Sequence, residues 1–378
     1  MAALNRRHWL KYTGIAAGGF LYSYEVVAHA LSHVKPYQEW MDFPALESGV
    51  IKLNSNENPF GPSEKVRAAI FERFDDLCRY PGIFSNSLTE KIAQKEGVTP
   101  AHVLLTVGST EGLKISAISY LHNGGELIAP DPTFEAMINY AEALGAYVHK
   151  VPVSRDLHID LNAMALRCHN ATRMVFLCNP NNPTGTLLTS GEVESFCSSL
   201  SSKTMVFSDE AYYDYIKEPE YPSMTTLVKK GLNVIVSKTF SKIYGLAGIR
   251  IGYLIARPDI ISRIKRFRVD SPNILALRAA EVALEEQAFL QYSIQKNNEA
   301  KSILEKALKE AGLEHTESHA NFIFFNTGMD VREFSEKMLK CKISVGRAFS
   351  PLNQWCRIST GKIEHMEEVS RALRSIYG

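Results

Sequence analysis

Seven short apolar runs, rich in valine, isoleucine and leucine, recur between residues 103 and 256, with longer mixed segments between them. They predict strands at residues 103–107, 126–129, 147–151, 174–178, 205–208, 233–237 and 252–256. Helical patterns lie between several of these strands, for example at residues 132–144. Short buried strands alternating with helices predict an α/β fold with a mostly parallel central sheet, covered by helices on both faces.

The pattern changes after residue 275. A long helical stretch is predicted up to residue 311, followed by strands at 322–325 and 356–359 and by helices at 331–339 and 363–377. We therefore predict a large domain at residues 61–275 and a smaller α+β domain at residues 276–378. Residues 31–60 are predicted to form an N-terminal arm that contributes to the small domain.

The composition excludes several functional classes. The 42 basic and 41 acidic residues give a net charge of +1, which does not favour binding to nucleic acid or to an anionic membrane surface. The six cysteines are scattered without a C-x-x-C pair, so they are typical of packing thiols. Neither a metal site nor a disulfide framework is predicted.

The N-terminus carries an arginine pair, Arg6-Arg7, ahead of a weakly apolar run rich in glycine and alanine. Ala28-His29-Ala30 then offers a small-x-small cleavage site. This arrangement resembles a bacterial twin-arginine export signal and predicts a leader at residues 1–30 and export to the periplasm. The alternative is a basic helix that packs on the body of a cytoplasmic protein. The apolar run is too short and too rich in glycine to predict a stable membrane span.

Polar segments follow four of the predicted strands. They are Gly108-Ser109-Thr110, Asn179-Pro180-Asn181-Asn182-Pro183-Thr184-Gly185, Asp209-Glu210-Ala211-Tyr212 and the lysine-containing segment at residues 238–251. In open α/β sheets, ligands bind at the carboxyl ends of strands. The first segment opens a helix and would suit a phosphate, although an ordinary helix cap is the better explanation when the segment is taken alone. The last segment places Lys242 and Arg250 among hydroxyl groups, which fits a bound anion.

Together these segments resemble the class I/II pyridoxal-phosphate-dependent aminotransferases of fold type I. Residues 179–185 match the N-P-x-N-P-T-G motif of that family, residues 209–212 its D-E-A-Y segment, and residues 237–253 its Schiff-base segment. Residues 53–62 are similar to the opening of the histidinol-phosphate aminotransferase branch, which is the closest one. The resemblance covers roughly residues 50–375.

The resemblance implies roles for the residues that match these motifs. Lys242 would link to the cofactor, pyridoxal 5'-phosphate (PLP), and later carry a proton between the substrate and the cofactor. Asp209 would pair with the pyridine nitrogen, while Asn182 and Tyr212 would hydrogen-bond the 3-oxygen of the ring. Phe134 would stack on the ring, unless it is simply a core residue.

The same resemblance implies how anions are held. The cofactor phosphate would be bound by Ser109, Thr110, Thr239, Ser241 and Arg250. Tyr80 would reach the phosphate of a neighbouring subunit, which implies a homodimer with shared active sites. On the substrate side, Arg357 matches the arginine that binds the anionic group, and Asn56 belongs to the opening motif. Arg347 is predicted as a second anion contact or, alternatively, as half of a surface ion pair.

The predicted function is an aminotransferase that moves an amino group between a donor, histidinol phosphate or an amino acid, and a 2-oxo acid by a ping-pong mechanism. Two alternatives remain open from the sequence. One is a decarboxylase of the same fold that resembles threonine-phosphate decarboxylase. The other is a non-catalytic PLP-binding sensor. The sequence does not identify the donor or the acceptor, and an exported enzyme would not obviously serve histidine synthesis.

Overall fold

The computed structural model describes residues 49–378 of the chain. The predicted leader at residues 1–30, and residues 31–48 of the predicted arm, lie outside the described residues. Residues Val50–Gly378 form one compact unit.

Nine of the eleven strands of the described residues lie at predicted positions, whereas the two-residue strands Ile51–Lys52 and Ile343–Ser344 were not predicted. In chain order, the strands of the described residues are β1 Ile51–Lys52, β2 Val103–Thr106, β3 Glu126–Asp131, β4 Tyr147–Pro152, β5 Thr172–Cys178, β6 Met205–Asp209, β7 Val234–Thr239, β8 Gly252–Ile255, β9 Phe322–Asn326, β10 Ile343–Ser344 and β11 Trp355–Ser359.

Between β2 and β7, α-helices follow each strand of this part of the chain, whereas elsewhere several helices follow one another. The α-helices of the described residues are α1 Glu64–Phe71, α2 Gly82–Glu96, α3 Gly108–Leu121, α4 Ala136–Ala143, α5 Leu161–Leu166, α6 Ser190–Ser201, α7 Thr225–Lys229, α8 Pro258–Lys265, α9 Ile274–Ala283, α10 Gln287–Glu310, α11 Val331–Lys340 and α12 Ile363–Tyr377. No helix within residues 49–378 combines the length and the hydropathy needed to cross a bilayer.

Seven strands form the central sheet in the order β2-β8-β7-β6-β5-β3-β4. Strand β8 runs antiparallel to β2 and β7, and the other neighbours in the sheet are parallel. The predicted α/β fold with a mostly parallel sheet is therefore confirmed. Because β3, β5, β6 and β7 run in the same direction, the loops that follow them meet at one edge of the sheet.

Two hydrophobic cores lie against the two faces of this sheet. Alternate residues of β5 point to opposite faces, so Val175 and Leu177 belong to one core while Met174 and Phe176 belong to the other. All four side chains are fully buried. A strand that is buried on both faces must be apolar at consecutive positions, which explains the continuous runs in the sequence.

A third core surrounds the antiparallel pair β9 and β11 and the short parallel pair β1 and β10. Helices α10, α11 and α12 contribute Leu304, Phe334 and Met366 to it. Leu53, from the segment predicted as an arm, is buried in the same core.

The single helix predicted at residues 276–311 is wrong, because the structure breaks it into α9 and α10 around Glu285 and Glu286. Helix α9 buries Ala276 and Leu277 in the first core, where it packs against α1 and α2. The predicted boundary between residues 275 and 276 therefore falls inside a helix that belongs to the core of the large sheet.

Candidate active site

A cavity of about 380 Å³ opens where the loops after β5, β6 and β7 meet. Most of the predicted site residues line it: Asn56, Ser109, Thr110, Phe134, Asn182, Asp209, Tyr212, Thr239, Ser241, Lys242, Arg250 and Arg357. A larger cavity of about 560 Å³ lies beside α5 and α6, but it gathers neither a lysine nor an arginine. The chemistry of the lining therefore identifies the smaller cavity as the candidate site.

Lys242 lies in the loop between β7 and β8 and points its amine into this cavity. Its Nζ donates to the main-chain oxygens of Asn56 at 3.2 Å and of Ser55 at 3.4 Å. Burial and the nearby positive charge of Arg357 lower the pKa of Lys242 to about 8. More of this amine is uncharged near neutral pH than for an exposed lysine, which makes it a better nucleophile and base.

Asp209 is the last residue of β6 and is buried at the wall of the cavity. Among the described residues, its carboxylate accepts one hydrogen bond, from the main-chain nitrogen of Ala211 at 3.2 Å. Burial raises the pKa of Asp209 to about 7. A buried carboxylate with so few donors is suited to a cationic partner in the cavity.

Tyr212 and Asn182 are held by residues of the opening motif and of β11. The hydroxyl of Tyr212 accepts from Nδ2 of Asn56 at 2.9 Å, and Oδ1 of Asn56 accepts from Ser359 at 2.9 Å. Oδ1 of Asn182 accepts from Nη1 of Arg357 at 2.6 Å. Asn56 is itself buried and adopts a left-handed φ of 54°, which asparagine tolerates better than most residues. In this geometry, the side-chain amide of Asn56 positions the hydroxyl of Tyr212.

Arg357 extends from β11 into the cavity. Its Nη2 donates to the main-chain oxygen of Asn54 at 2.8 Å, while its buried Nε has no hydrogen-bond partner in the described residues. The guanidinium lies 5.4 Å from the ring centre of Phe349 and 5.6 Å from that of Phe322. Burial lowers the pKa of Arg357. An anion in the cavity would satisfy this guanidinium.

Hydroxyl groups and Arg250 surround the start of α3. Oγ of Ser241 accepts from Nη1 of Arg250 at 3.3 Å and from Oγ1 of Thr239 at 3.0 Å. No side chain caps α3, so the N–H groups of its first turn, including those of Ser109 and Thr110, face this region. We call Ser109, Thr110, Thr239, Ser241 and Arg250 the anion cradle. Its donors fit a phosphate group.

Two glycines allow Arg250 and β8 to pack closely against the start of α3. A Cβ atom on Gly108 would clash with Nη2 of Arg250, and the φ of Gly108 is +72°. A Cβ atom on Gly252 would lie 2.9 Å from the main-chain nitrogen of Ser109. A side chain on Gly108 would push Arg250 away from the start of α3, and a side chain on Gly252 would push β8 away from it.

Two predicted residues lie outside the cavity wall. Arg347 forms an exposed ion pair with Glu135 and lies 4.4 Å from the ring centre of Phe349. The structure thus shows the alternative that the sequence left open for Arg347. Tyr80 is 98% exposed in the single chain and does not line the cavity.

The sequence reasoning missed a buried charge network next to the cavity. Nζ of Lys238 lies 3.1 Å from Glu96 and 3.6 Å from Glu210, and the hydroxyl of Tyr253 donates to Glu96 at 2.9 Å. Burial alone would lower the pKa of Lys238, but the two carboxylates outweigh burial and raise it. The network joins the end of α2 to β6, β7 and β8 beside Asp209 and Thr239. Lys238 in the Schiff-base segment and Glu210 in the D-E-A-Y segment were its visible signals.

The aminotransferase class I and II sequence family matches residues 48–373. The chain belongs to this family. The histidinol-phosphate aminotransferase of Moorella thermoacetica is 37% identical over 356 residues, which cover 92% of each chain. That of Brevibacillus brevis is 37% identical over 330 residues, covering 86% of this chain and 90% of the relative.

A solved structure supports the same assignment. The crystal structure of histidinol-phosphate aminotransferase from Sinorhizobium meliloti, in complex with pyridoxal-5'-phosphate, superposes with a TM-score of 0.81 and 25% identity, covering 87% of this chain and 92% of that one. The predicted family resemblance and the predicted aminotransferase activity are therefore confirmed.

Proposed function

We propose that the cavity binds PLP and that the chain transfers the amino group of a donor with an anionic end to a 2-oxo acid. The observation that carries this proposal is the convergence of Lys242, Asp209 and the anion cradle in one cavity. PLP requires three kinds of group: an amine of lowered pKa, an isolated carboxylate, and hydrogen-bond donors that bind its phosphate.

The residues present fit the cofactor. The anion cradle would hold its phosphate, Asp209 would pair with the protonated pyridine nitrogen, and Asn182 and Tyr212 would face its 3-oxygen. Phe134, which lines the cavity, would lie against the ring. When bound, PLP supplies an electron sink for the charge that develops at the substrate α-carbon. Lys242 then holds and returns the proton at that carbon, since its amine lies in the same cavity.

Arg357 would select the donor. Its guanidinium donates hydrogen bonds to Asn182 and Asn54. Its Nε has no hydrogen-bond acceptor among the described residues. A donor that carries a phosphate or a carboxylate would supply that acceptor. Histidinol phosphate, after which the relatives are named, is the first donor to test.

Replacing Arg357 with lysine is expected to raise KM for the preferred donor by about 10- to 100-fold, because a charge-assisted bidentate contact is lost. The measurement is conversion of the bound cofactor by single donors, including histidinol phosphate and acidic, aromatic and aliphatic amino acids, with evolved CO₂ monitored alongside. Arg347→Lys serves as the control and should change KM less than about threefold, because its ion pair is exposed.

Equal effects of the two arginine substitutions would overturn the role of Arg357. Release of CO₂ without formation of a keto product would instead favour the decarboxylase alternative.

We propose further that the protein is a homodimer. Large apolar side chains are exposed along residues 71–83: Phe71, Phe74, Leu77, Tyr80 and Ile83. Contiguous exposed apolar surface of this kind is typical of an interaction site. The family resemblance implies that Tyr80 of a second copy covering this surface would reach the neighbouring anion cradle.

Ile83→Asp is expected to shift the protein from dimer to monomer, because a charge would be placed in the apolar interface. Light scattering coupled to size exclusion would measure this. Leu166→Asp is the matched control, since Leu166 is 87% exposed on α5, away from this surface, and that variant should remain a dimer. A wild-type monomer, or an unchanged Ile83→Asp dimer, would contradict the proposal.

Export by a twin-arginine leader is also a proposal, supported by Arg6-Arg7 and the weakly apolar run that follows. The full chain expressed in a bacterium with this pathway should appear in the periplasm. Replacing both Arg6 and Arg7 with lysine should retain it in the cytoplasm. Cytoplasmic retention of the wild-type chain would count against export and would favour the alternative of a basic helix.

A further inference from the structure

Two histidines and a glutamate converge at the end of the sheet that is remote from the cavity. Nε2 of His149 lies 2.8 Å from Oε2 of Glu126, and Nε2 of His169 lies 2.6 Å from the same oxygen. The three ligand atoms all lie within 4.8 Å of one another. The imidazole rings are nearly perpendicular, at 86°, with their centres 6.0 Å apart.

The backbone holds these three side chains on separate elements. Glu126 opens β3, which lies between β4 and β5, and its strand partners are Tyr147 and Thr172. His149 belongs to β4, the edge strand of the central sheet. His169 lies in the turn before β5, where its main chain exchanges hydrogen bonds with Thr172 at 2.9 and 3.1 Å. The sheet and this turn therefore bring the side chains together before any ligand binds.

The spacing of these groups suits a small transition metal ion. Zinc lies about 2.0–2.2 Å from histidine nitrogen and carboxylate oxygen, so its tetrahedral ligands are about 3.4 Å apart. Small rotations of the Glu126 side chain would open the present contacts of 2.6 and 2.8 Å to that separation. Two imidazoles with one carboxylate favour zinc and its neighbours over magnesium or calcium.

We propose that Glu126, His149 and His169 form a zinc site with a fourth position open to water. The proposed zinc site is distant from the cavity. Glu126 is the first residue of β3, whereas the chain beyond the last residue of β3 leads to Phe134 in the cavity wall. A strand of this length spans roughly 17 Å. Bound zinc would cross-link the edge strand β4 to the turn before β5. Its role is then to stabilise the exposed edge of the sheet.

The test is zinc titration by calorimetry on the tag-free, cofactor-loaded protein after removal of metals with a chelator and dialysis. We expect one zinc ion per chain, with affinity at least about tenfold weaker in His149→Asn and Glu126→Gln. The matched control is His158→Asn, an exposed histidine outside the cluster, which should bind zinc as the wild type does.

The change in Tm on addition of zinc is a second measurement of binding, which can also be made on a variant that is less stable than the wild type. Zinc should raise the Tm of the wild type and of His158→Asn, and should leave the Tm of a folded His149→Asn unchanged. No zinc binding by the wild type, or equal binding and equal Tm shifts in all variants, would overturn the proposal.

Discussion

Lys242→Ala is expected to lower the rate of amino transfer by about 10⁴-fold or more, because the proposed covalent link to PLP and the proposed proton carrier would both be lost. The structure makes this residue unusually suited to both roles. Its amine lies in the cavity, and burial together with the charge of Arg357 brings its pKa down to about 8. No other lysine lines the cavity in the described part of the chain.

Single-turnover kinetics with a saturating donor would measure this loss without interference from product release. Lys203→Ala is the matched control, because Lys203 is exposed in the turn after α6 and should retain full activity. The cofactor content of the Lys242→Ala variant should be determined separately, since the anion cradle remains intact. A loss of less than tenfold in the loaded variant would contradict the role of Lys242.

Asp209→Asn is expected to lower the rate by about 10³-fold while changing cofactor binding far less. The substitution keeps the shape of the side chain and removes its charge. Without that charge, the pyridine nitrogen of bound PLP would lose the proposed partner that keeps it protonated, and the ring would become a poorer electron sink. Burial raises the pKa of Asp209 to about 7, so a cationic partner is needed to hold the carboxylate ionised at neutral pH.

Tyr212→Phe provides the comparison for Asp209→Asn. It removes one hydroxyl that contacts Asn56 and should cost about tenfold in rate, the usual value of one hydrogen bond. Rates for both variants should be measured with saturating cofactor. If Asp209→Asn were as active as Tyr212→Phe, the proposed pairing with the ring nitrogen would be wrong.

Much of the fold could be predicted because a strand that is buried on both faces is apolar at consecutive positions, and such runs are visible in the sequence. Phe176 and Phe207 are fully buried in the central sheet, and their strands appear in the sequence as continuous apolar runs. The polar residues that follow each run, such as Asp209 and Asn182, then meet because parallel strands end at the same edge. Local pattern and topology together thus place most of the cavity lining.

The break between α9 and α10 could not be predicted in the same way. Glu285 and Glu286 are acceptable helix residues, and neither glycine nor proline marks the change of direction. Packing of α9 against α1 and α2 decides where that helix ends. Tertiary contacts therefore outweigh helix propensity at this point.

Contacts between distant positions were also invisible in the sequence. Arg347 pairs with Glu135, 212 positions away, and Glu126 meets His149, 23 positions away, across two strands. No local spacing distinguishes these side chains from ordinary surface charges. Only the register of the sheet and the placement of the loops bring them together.

The most direct test of the account is to identify the lysine that carries the cofactor. The protein loaded with PLP would be reduced with borohydride, digested and examined by mass spectrometry. We predict a single phosphopyridoxyl group on Lys242, lost in Lys242→Ala and retained in Lys203→Ala. A group attached to a different lysine, or no stable attachment at all, would contradict the proposal that this cavity is a PLP-dependent active site.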